Sequence, residues 1–154
     1  MVVTTKSTIV VNAAFLREIK DSNPEFYETI DRLRHVCEAD DSPARLCRNL
    51  TRLLNQLREQ LALQFSLEES YGYLAVPSHA DGFLGEMAVV VQAHHGMLYM
   101  HLSDLAEQAE ELQYRGVEPR QLRVLVESVC EFEFRLREHE RAENELIERS
   151  FRLF

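Results

Sequence analysis

Four long stretches of the chain repeat apolar residues at steps of three and four, which is the spacing of one face of an α-helix. The predicted helices cover about 12–37, 43–71, 83–114 and 119–151. Short connections join the first helix to the second and the third to the fourth, and a longer one joins the middle pair. Long amphipathic helices with short turns favour an antiparallel bundle. The predicted fold class is therefore all-α, an antiparallel up-down four-helix bundle.

Local signals refine the ends of these helices. Pro24 cannot donate a backbone hydrogen bond and restricts the residue before it, so we expect the first helix to be kinked or broken there. Ser42 followed by Pro43 is a typical helix start. Residues 1–11 are predicted to be an extended N-terminal arm, and residues 12–154 a single domain.

Composition excludes several classes of protein. The 154 residues include only 5 Gly and 4 Pro, which disfavours a turn-rich β fold. The formal net charge of -9 disfavours nucleic acid as a partner. No apolar run approaches the ~20 residues of a membrane span, and residues 1–11 do not resemble a signal peptide, so we expect a cytoplasmic protein without a membrane partner.

The chain has three cysteines, Cys37, Cys47 and Cys130, and no CxxC pair. Reduced thiols are the expectation for such a chain. Cys37 and Cys47 flank the first turn between helices, which leaves a regulatory disulfide between them as the less favoured alternative.

Each apolar stripe is interrupted by polar residues where it should face the core. These are Asn23, Gln64, Glu68, His95, His139 and Glu143. Burying carboxylates and imidazoles is costly unless hydrogen bonds, opposite charges or a metal ion compensate. A single core histidine is most often structural, and Asn23 alone is more often a helix cap than a ligand. Glu68, His95, His139 and Glu143 together favour a metal-related origin.

The motifs that carry these residues resemble those of the hemerythrin-like, or HHE cation-binding, domain family over roughly residues 12–151. His139-Glu140-Arg141-Ala142-Glu143 matches the HxxxE motif of the fourth helix, and His95-Gly96-Met97-Leu98-Tyr99 is similar to the third-helix histidine segment. Gln64-Phe65-Ser66-Leu67-Glu68-Glu69 resembles the second-helix motif with its histidine replaced. Asn23 falls where the first-helix histidine would be.

In that family a pair of iron ions is held by histidines from all four helices, with two bridging carboxylates. The resemblance implies that Glu68 and Glu143 are the bridging residues and that His95 and His139 share one iron. Asn23 and Gln64 stand in the places of the two histidines that hold the other iron. An amide is a weaker metal ligand than imidazole. Tyr99 falls where some members have a second histidine.

These replacements predict at most one metal ion per chain, with non-haem iron as the first expectation and Zn or Mn as alternatives. Tyr99 or Tyr71 would be a fifth metal ligand or would donate a hydrogen bond to one of the ligands. The expected role is sensing, storage or redox protection, and the sequence does not favour an enzyme. Reversible oxygen binding and di-iron oxidase chemistry need two irons and are therefore disfavoured.

A metal-free bundle that acts as a protein-interaction scaffold is the alternative function. Its acidic surface or its Phe-rich tail, 151–154, would contact an unidentified protein partner. The apolar arm and this tail also make a homodimer the oligomeric state to consider.

Overall fold

The computed structural model describes residues 7–77 and 83–152, except for the side chains of residues 7, 8, 76, 77 and 83. The chain is mostly helical, with a small two-stranded sheet. Its elements in chain order are β1 (Ser7–Val11), α1 (Ala13–Asp21), α2 (Pro24–Glu38), α3 (Pro43–Leu67), a π-helical turn (Glu68–Gly72), β2 (Tyr73–Pro77), α4 (Phe83–Arg115) and α5 (Pro119–Arg152). None of these helices is long and apolar enough to cross a membrane.

The ends of the helices follow the local signals in the sequence. The predicted break near Pro24 is confirmed, because α1 ends at Asp21 and α2 begins at Pro24. Ser42 caps α3 by accepting a hydrogen bond from the backbone N–H of Arg45 at 3.4 Å. Gly116, with φ of +104°, follows the end of α4 in a backbone conformation that favours glycine.

The helices pack around a continuous apolar core. α3 packs on α2 and α4, and α5 packs on α4, α2 and α1. The largest fully buried apolar side chains of this core include Phe26, Leu33, Leu50, Leu54, Leu57, Leu61, Leu102, Leu105, Phe132 and Leu136. A smaller apolar cluster around Leu16, Tyr73, Val91 and Leu146 joins α1 to β2, α4 and α5.

Residues 7–11 of the predicted N-terminal arm form a strand of a sheet, and residues 1–6 lie outside the described residues. β1 pairs antiparallel with β2, from Ser7 opposite Pro77 to Val11 opposite Tyr73. The all-α prediction was incomplete in this respect, because both strands are short and lie outside the helical stripes. The pairing holds β2 against β1, and β2 directly follows α3 and its π-helical turn in the chain.

Gly72 allows α1 and the π-helical turn to approach closely. A Cβ atom at Gly72 would lie 2.2 Å from Leu16 Cδ2 and 2.8 Å from its Cγ, and Leu16 is fully buried. We expect Gly72→Ala to destabilise the fold by about 1–3 kcal/mol, the usual cost of overpacking a core. Gly96→Ala is the matched control, because its Cβ would meet nothing within 4 Å. Inside α4 that change should be neutral or stabilising, by up to about 1 kcal/mol. Denaturant unfolding of both variants checks this, and equal stabilities would contradict it.

The cysteines are free thiols, and Cys47 does not pair with Cys37. Cys47 is buried and its Sγ donates to the carbonyl oxygen of Ala109 at 3.7 Å. Burial raises the pKa of Cys37, and a side-chain hydrogen bond with Cys130 raises it further. The alternative of a Cys37–Cys47 disulfide was therefore wrong, because Cys47 turns toward α4 and Cys37 toward α5.

Candidate metal centre

Four polar side chains from three parts of the chain meet in the core. Glu68, His95, His139 and Glu143 each offer one ligand atom, and these atoms all lie within 4.8 Å of one another. His95 Nε2 lies 3.3 Å from Glu68 Oε1 and 3.7 Å from Glu143 Oε2, and His139 Nε2 lies 3.8 Å from Glu143 Oε2. All four residues are at most 3% exposed. The predicted convergence of these side chains is confirmed.

Helical geometry brings the four residues together. His139 and Glu143 are four residues apart on α5 and therefore share one face. His95 is on α4, which packs against both α3 and α5. Glu68 begins the π-helical turn that continues α3 and lies four residues after Gln64.

Each of the four residues is held by a neighbour outside the group. Tyr73 donates its hydroxyl to Glu143 Oε2 at 2.5 Å, and the Gln64 amide donates to Glu68 Oε2 at 3.2 Å. The Glu69 carboxylate lies 3.2 Å from His95 Nδ1. His94 Nδ1 lies 3.5 Å from His139 Nδ1. Partners of this kind orient metal ligands. For Glu68, His95 and His139 the partner holds the oxygen or ring nitrogen that is not directed at the group.

Three of the four atoms directed into the group lack hydrogen bonds. Among the described residues, Glu68 Oε1, His95 Nε2 and His139 Nε2 are fully buried and have no hydrogen-bond partner. Buried polar atoms are normally paired, since leaving one unpaired costs about 1–3 kcal/mol. Three such atoms directed at one another, two of them imidazole nitrogens, have the chemistry of a ligand set for a transition metal. The residues therefore fit a metal ion.

The electrostatics of the group depend on burial and close charges. Burial lowers the pKa of His139 to about 3, and the neighbouring His95 and Lys20 lower it as well, which keeps its Nε2 lone pair free at neutral pH. Burial alone would lower the pKa of His95, but the adjacent carboxylates of Glu143 and Glu68 outweigh it and raise the value to about 9. Burial raises the pKa of Glu68 to about 8, against the effect of His95. An ion entering this group would therefore displace a proton.

Asn23 and Gln64 lie beside the group and are hydrogen-bonded to each other. Asn23 is the N-cap residue of α2, but its side chain makes no capping bond. Instead its amide donates to Gln64 Oε1 at 3.0 Å, and Gln64 donates in turn to Glu68. Both amides therefore support Glu68 and are not among the converging ligand atoms.

The structure does not bring Tyr71 or Tyr99 into the group. Tyr71 is 54% exposed and its ring packs on Phe15, while Tyr99 is 40% exposed. These two predictions of an additional ligand were wrong. The π-helical turn changes the register after Glu68 and leaves Tyr71 exposed, and Tyr99 lies on an exposed part of α4. Tyr73, which is 4% exposed, is the tyrosine that reaches a carboxylate of the group.

The sequence analysis also missed Lys20 and Glu140. Both are buried, and the Lys20 ammonium forms ion pairs with Glu140 Oε2 and with Glu143 Oε1, the latter at 2.8 Å. Leu16 is fully buried in α1, and Lys20 lies one turn after it. The spacing of four residues was a signal, because it places Lys20 on the same face of the helix as Leu16.

The remaining histidines differ in their surroundings. His35 is exposed, and His101 is half-buried against the ring of Phe132. His94 is half-buried beside His139. His79 and the last two residues of the tail, Leu153 and Phe154, lie outside the described residues.

Comparisons with known proteins give no relative for this chain. No family model, no curated protein and no solved structure matches it.

Proposed function

We propose that this chain is a metal-binding protein of the hemerythrin-like kind, with one divalent transition-metal ion in the core of a four-helix bundle. The ligands are Glu68, His95, His139 and Glu143. The observation that carries the proposal is the group of three buried, unpaired atoms on Glu68, His95 and His139, directed at one another beside Glu143.

The ligand set suits several ions of similar size. Two imidazole nitrogens and two carboxylate oxygens are donors that Fe(II), Zn(II) and Mn(II) all accept. Ligand atoms bound to one ion at ~2.0–2.2 Å are about 3.3–3.6 Å apart in a tetrahedral site. The separations of 3.3, 3.7 and 3.8 Å in this group are close to that value, and those that reach up to 4.8 Å would shorten by about 1 Å. Iron remains our first expectation because of the resemblance in motifs.

The packing of the long helices supports the proposed architecture. α2, α3, α4 and α5 contact one another in the cyclic order expected of a four-helix bundle, with α2 also against α5. Metal sites in such bundles are built from side chains on facing helices, which is the position of this group.

Metal content is the test of this function. Protein produced without a histidine tag in iron- and zinc-containing medium should contain close to one transition-metal ion per chain by mass spectrometry. Protein with all of Glu68, His95, His139 and Glu143 replaced by glutamine should contain none. Wild-type protein that remains metal-free after incubation with Fe(II), Zn(II) and Mn(II) would refute the proposal.

Tyr73 should affect metal affinity through Glu143. Tyr73→Phe removes the 2.5 Å hydrogen bond to Glu143 Oε2 without changing the packing of the ring. We expect metal affinity to fall about 10–100-fold, the usual effect of losing an outer partner of a ligand. Tyr71→Phe is the control, because that side chain is exposed and should leave affinity unchanged. Calorimetric titration of both variants measures the difference.

A metal-free scaffold is the second candidate. The position of His95 favours this candidate. Its Nε2 lies 3.3 Å from Glu68 and 3.7 Å from Glu143, so a protonated ring would neutralise part of the buried negative charge without a metal ion. The same metal analysis separates the two functions.

A further inference from the structure

Lys20 approaches the site from the side opposite to the two histidines. Its side chain is 8% exposed, and its ammonium contacts Glu143 Oε1 at 2.8 Å and Glu140 Oε2. Tyr27 donates its hydroxyl to the same Glu140 oxygen at 3.0 Å. The second oxygen of Glu140, Oε1, is buried without a hydrogen-bond partner among the described residues.

Glu143 therefore has a cation-binding oxygen on each side. Its Oε2 faces His95, His139 and Tyr73, where the proposed metal ion lies. Its Oε1 faces the Lys20 ammonium. A carboxylate with this arrangement would bridge two positive charges, one of which is already part of the chain.

The charges of the cluster balance with one divalent ion. In the metal-bound state, with Glu68 ionised and both histidines neutral, Glu68, Glu140 and Glu143 contribute three negative charges and Lys20 one positive charge, which leaves two negative charges for the ion to neutralise. Buried charges are tolerated only when they are compensated, so a second divalent ion beside Lys20 would leave an excess of two positive charges in the core. Removal of the ammonium would instead leave an excess negative charge between Glu140 and Glu143.

We propose that the Lys20 ammonium occupies a second cation position, formed by Glu140, Glu143 and Tyr27, and thereby limits the site to one metal ion. The inference rests on the proposed function only for the ion at the histidine side. A lysine suits this role because its ammonium is a compact point charge on a long flexible stem, whereas arginine is larger and planar. The vacated position would offer carboxylate and phenol oxygens and no nitrogen, so it would accept a hard cation such as Mn(II).

The test counts divalent ions in the full chain with and without Lys20. Wild type, Lys20→Ala and Lys20→Ala/Glu140→Gln are dialysed against Mn(II), and bound manganese is measured by mass spectrometry and by electron paramagnetic resonance. We expect one more ion in Lys20→Ala than in wild type. We expect no additional ion in the double variant, whose second position has lost one carboxylate charge.

The outcomes separate the inference from the proposed function. If wild type binds no Mn(II), Fe(II) or Zn(II) and Lys20→Ala binds one Mn(II), the proposed function fails and the second cation position stands. If wild type and folded Lys20→Ala both bind one ion, the proposed function stands and the inference is overturned. If Lys20→Ala folds only when Mn(II) is present, as judged by circular dichroism, the inference is supported. If it remains unfolded with Mn(II), while the double variant folds, the inference is overturned.

Discussion

Replacing His139 with alanine should abolish metal binding. The site has two nitrogen donors, and His139 is the one whose lone pair burial keeps free, with a pKa lowered to about 3. The remaining ligands would be His95 and two carboxylates, one of which is already paired with Lys20. We expect affinity for Zn(II) or Fe(II) to fall more than the roughly 10–100-fold that loss of an outer partner causes.

His101→Ala is the matched control for this variant. His101 is a half-buried imidazole on α4 that packs against Phe132 on α5, and it is not part of the converging group. Titration calorimetry should show wild-type affinity for His101→Ala and no measurable binding for His139→Ala, with circular dichroism confirming that both are folded. Wild-type affinity in His139→Ala would place the metal elsewhere.

Metal loading should strongly stabilise the fold. Without an ion, the unpaired atoms of Glu68, His95 and His139 remain buried, which is an unfavourable arrangement that unfolding relieves. Free metal at 1,000 times its dissociation constant should raise the free energy of unfolding by about 4 kcal/mol. For a chain of this length that corresponds to an increase in Tm of roughly 8–16 °C.

Thermal unfolding of chelator-treated and metal-loaded protein measures this increase. The His139→Ala variant should show none of it, whereas Cys130→Ser should show all of it, because the exposed thiol lies outside the group. An equal increase in His139→Ala would mean that the metal stabilises the chain through another site.

The hydrophobic pattern predicted the helices and the converging residues well. Leu50, Leu57, Leu102 and Leu136 form part of the core. The repeat of apolar residues at spacings of three and four had indicated this. The same steps placed His95 and His139 inward, because an α-helix of this length keeps a constant register. The broken first helix was also predictable, since proline acts locally.

Features that depend on contacts distant in sequence were not predictable in the same way. The π-helical turn at Glu68–Gly72 shifts the register, so Tyr73 reaches the site and Tyr71 does not. Burial of Lys20 was not predicted, because a lysine is rarely buried without a partner and its partner Glu140 is 120 residues away. The β1–β2 pairing likewise joins segments more than 60 residues apart.

Anomalous diffraction from crystals of zinc-loaded protein tests the central claim most directly. Data collected at the zinc absorption edge should show one strong peak per chain, within about 2.0–2.2 Å of ligand atoms from Glu68, His95, His139 and Glu143. The predicted map has no second peak beside Lys20. A map without a peak among these four side chains, or with its main peak at His94, His101 or the Cys37–Cys130 thiols, would contradict the account.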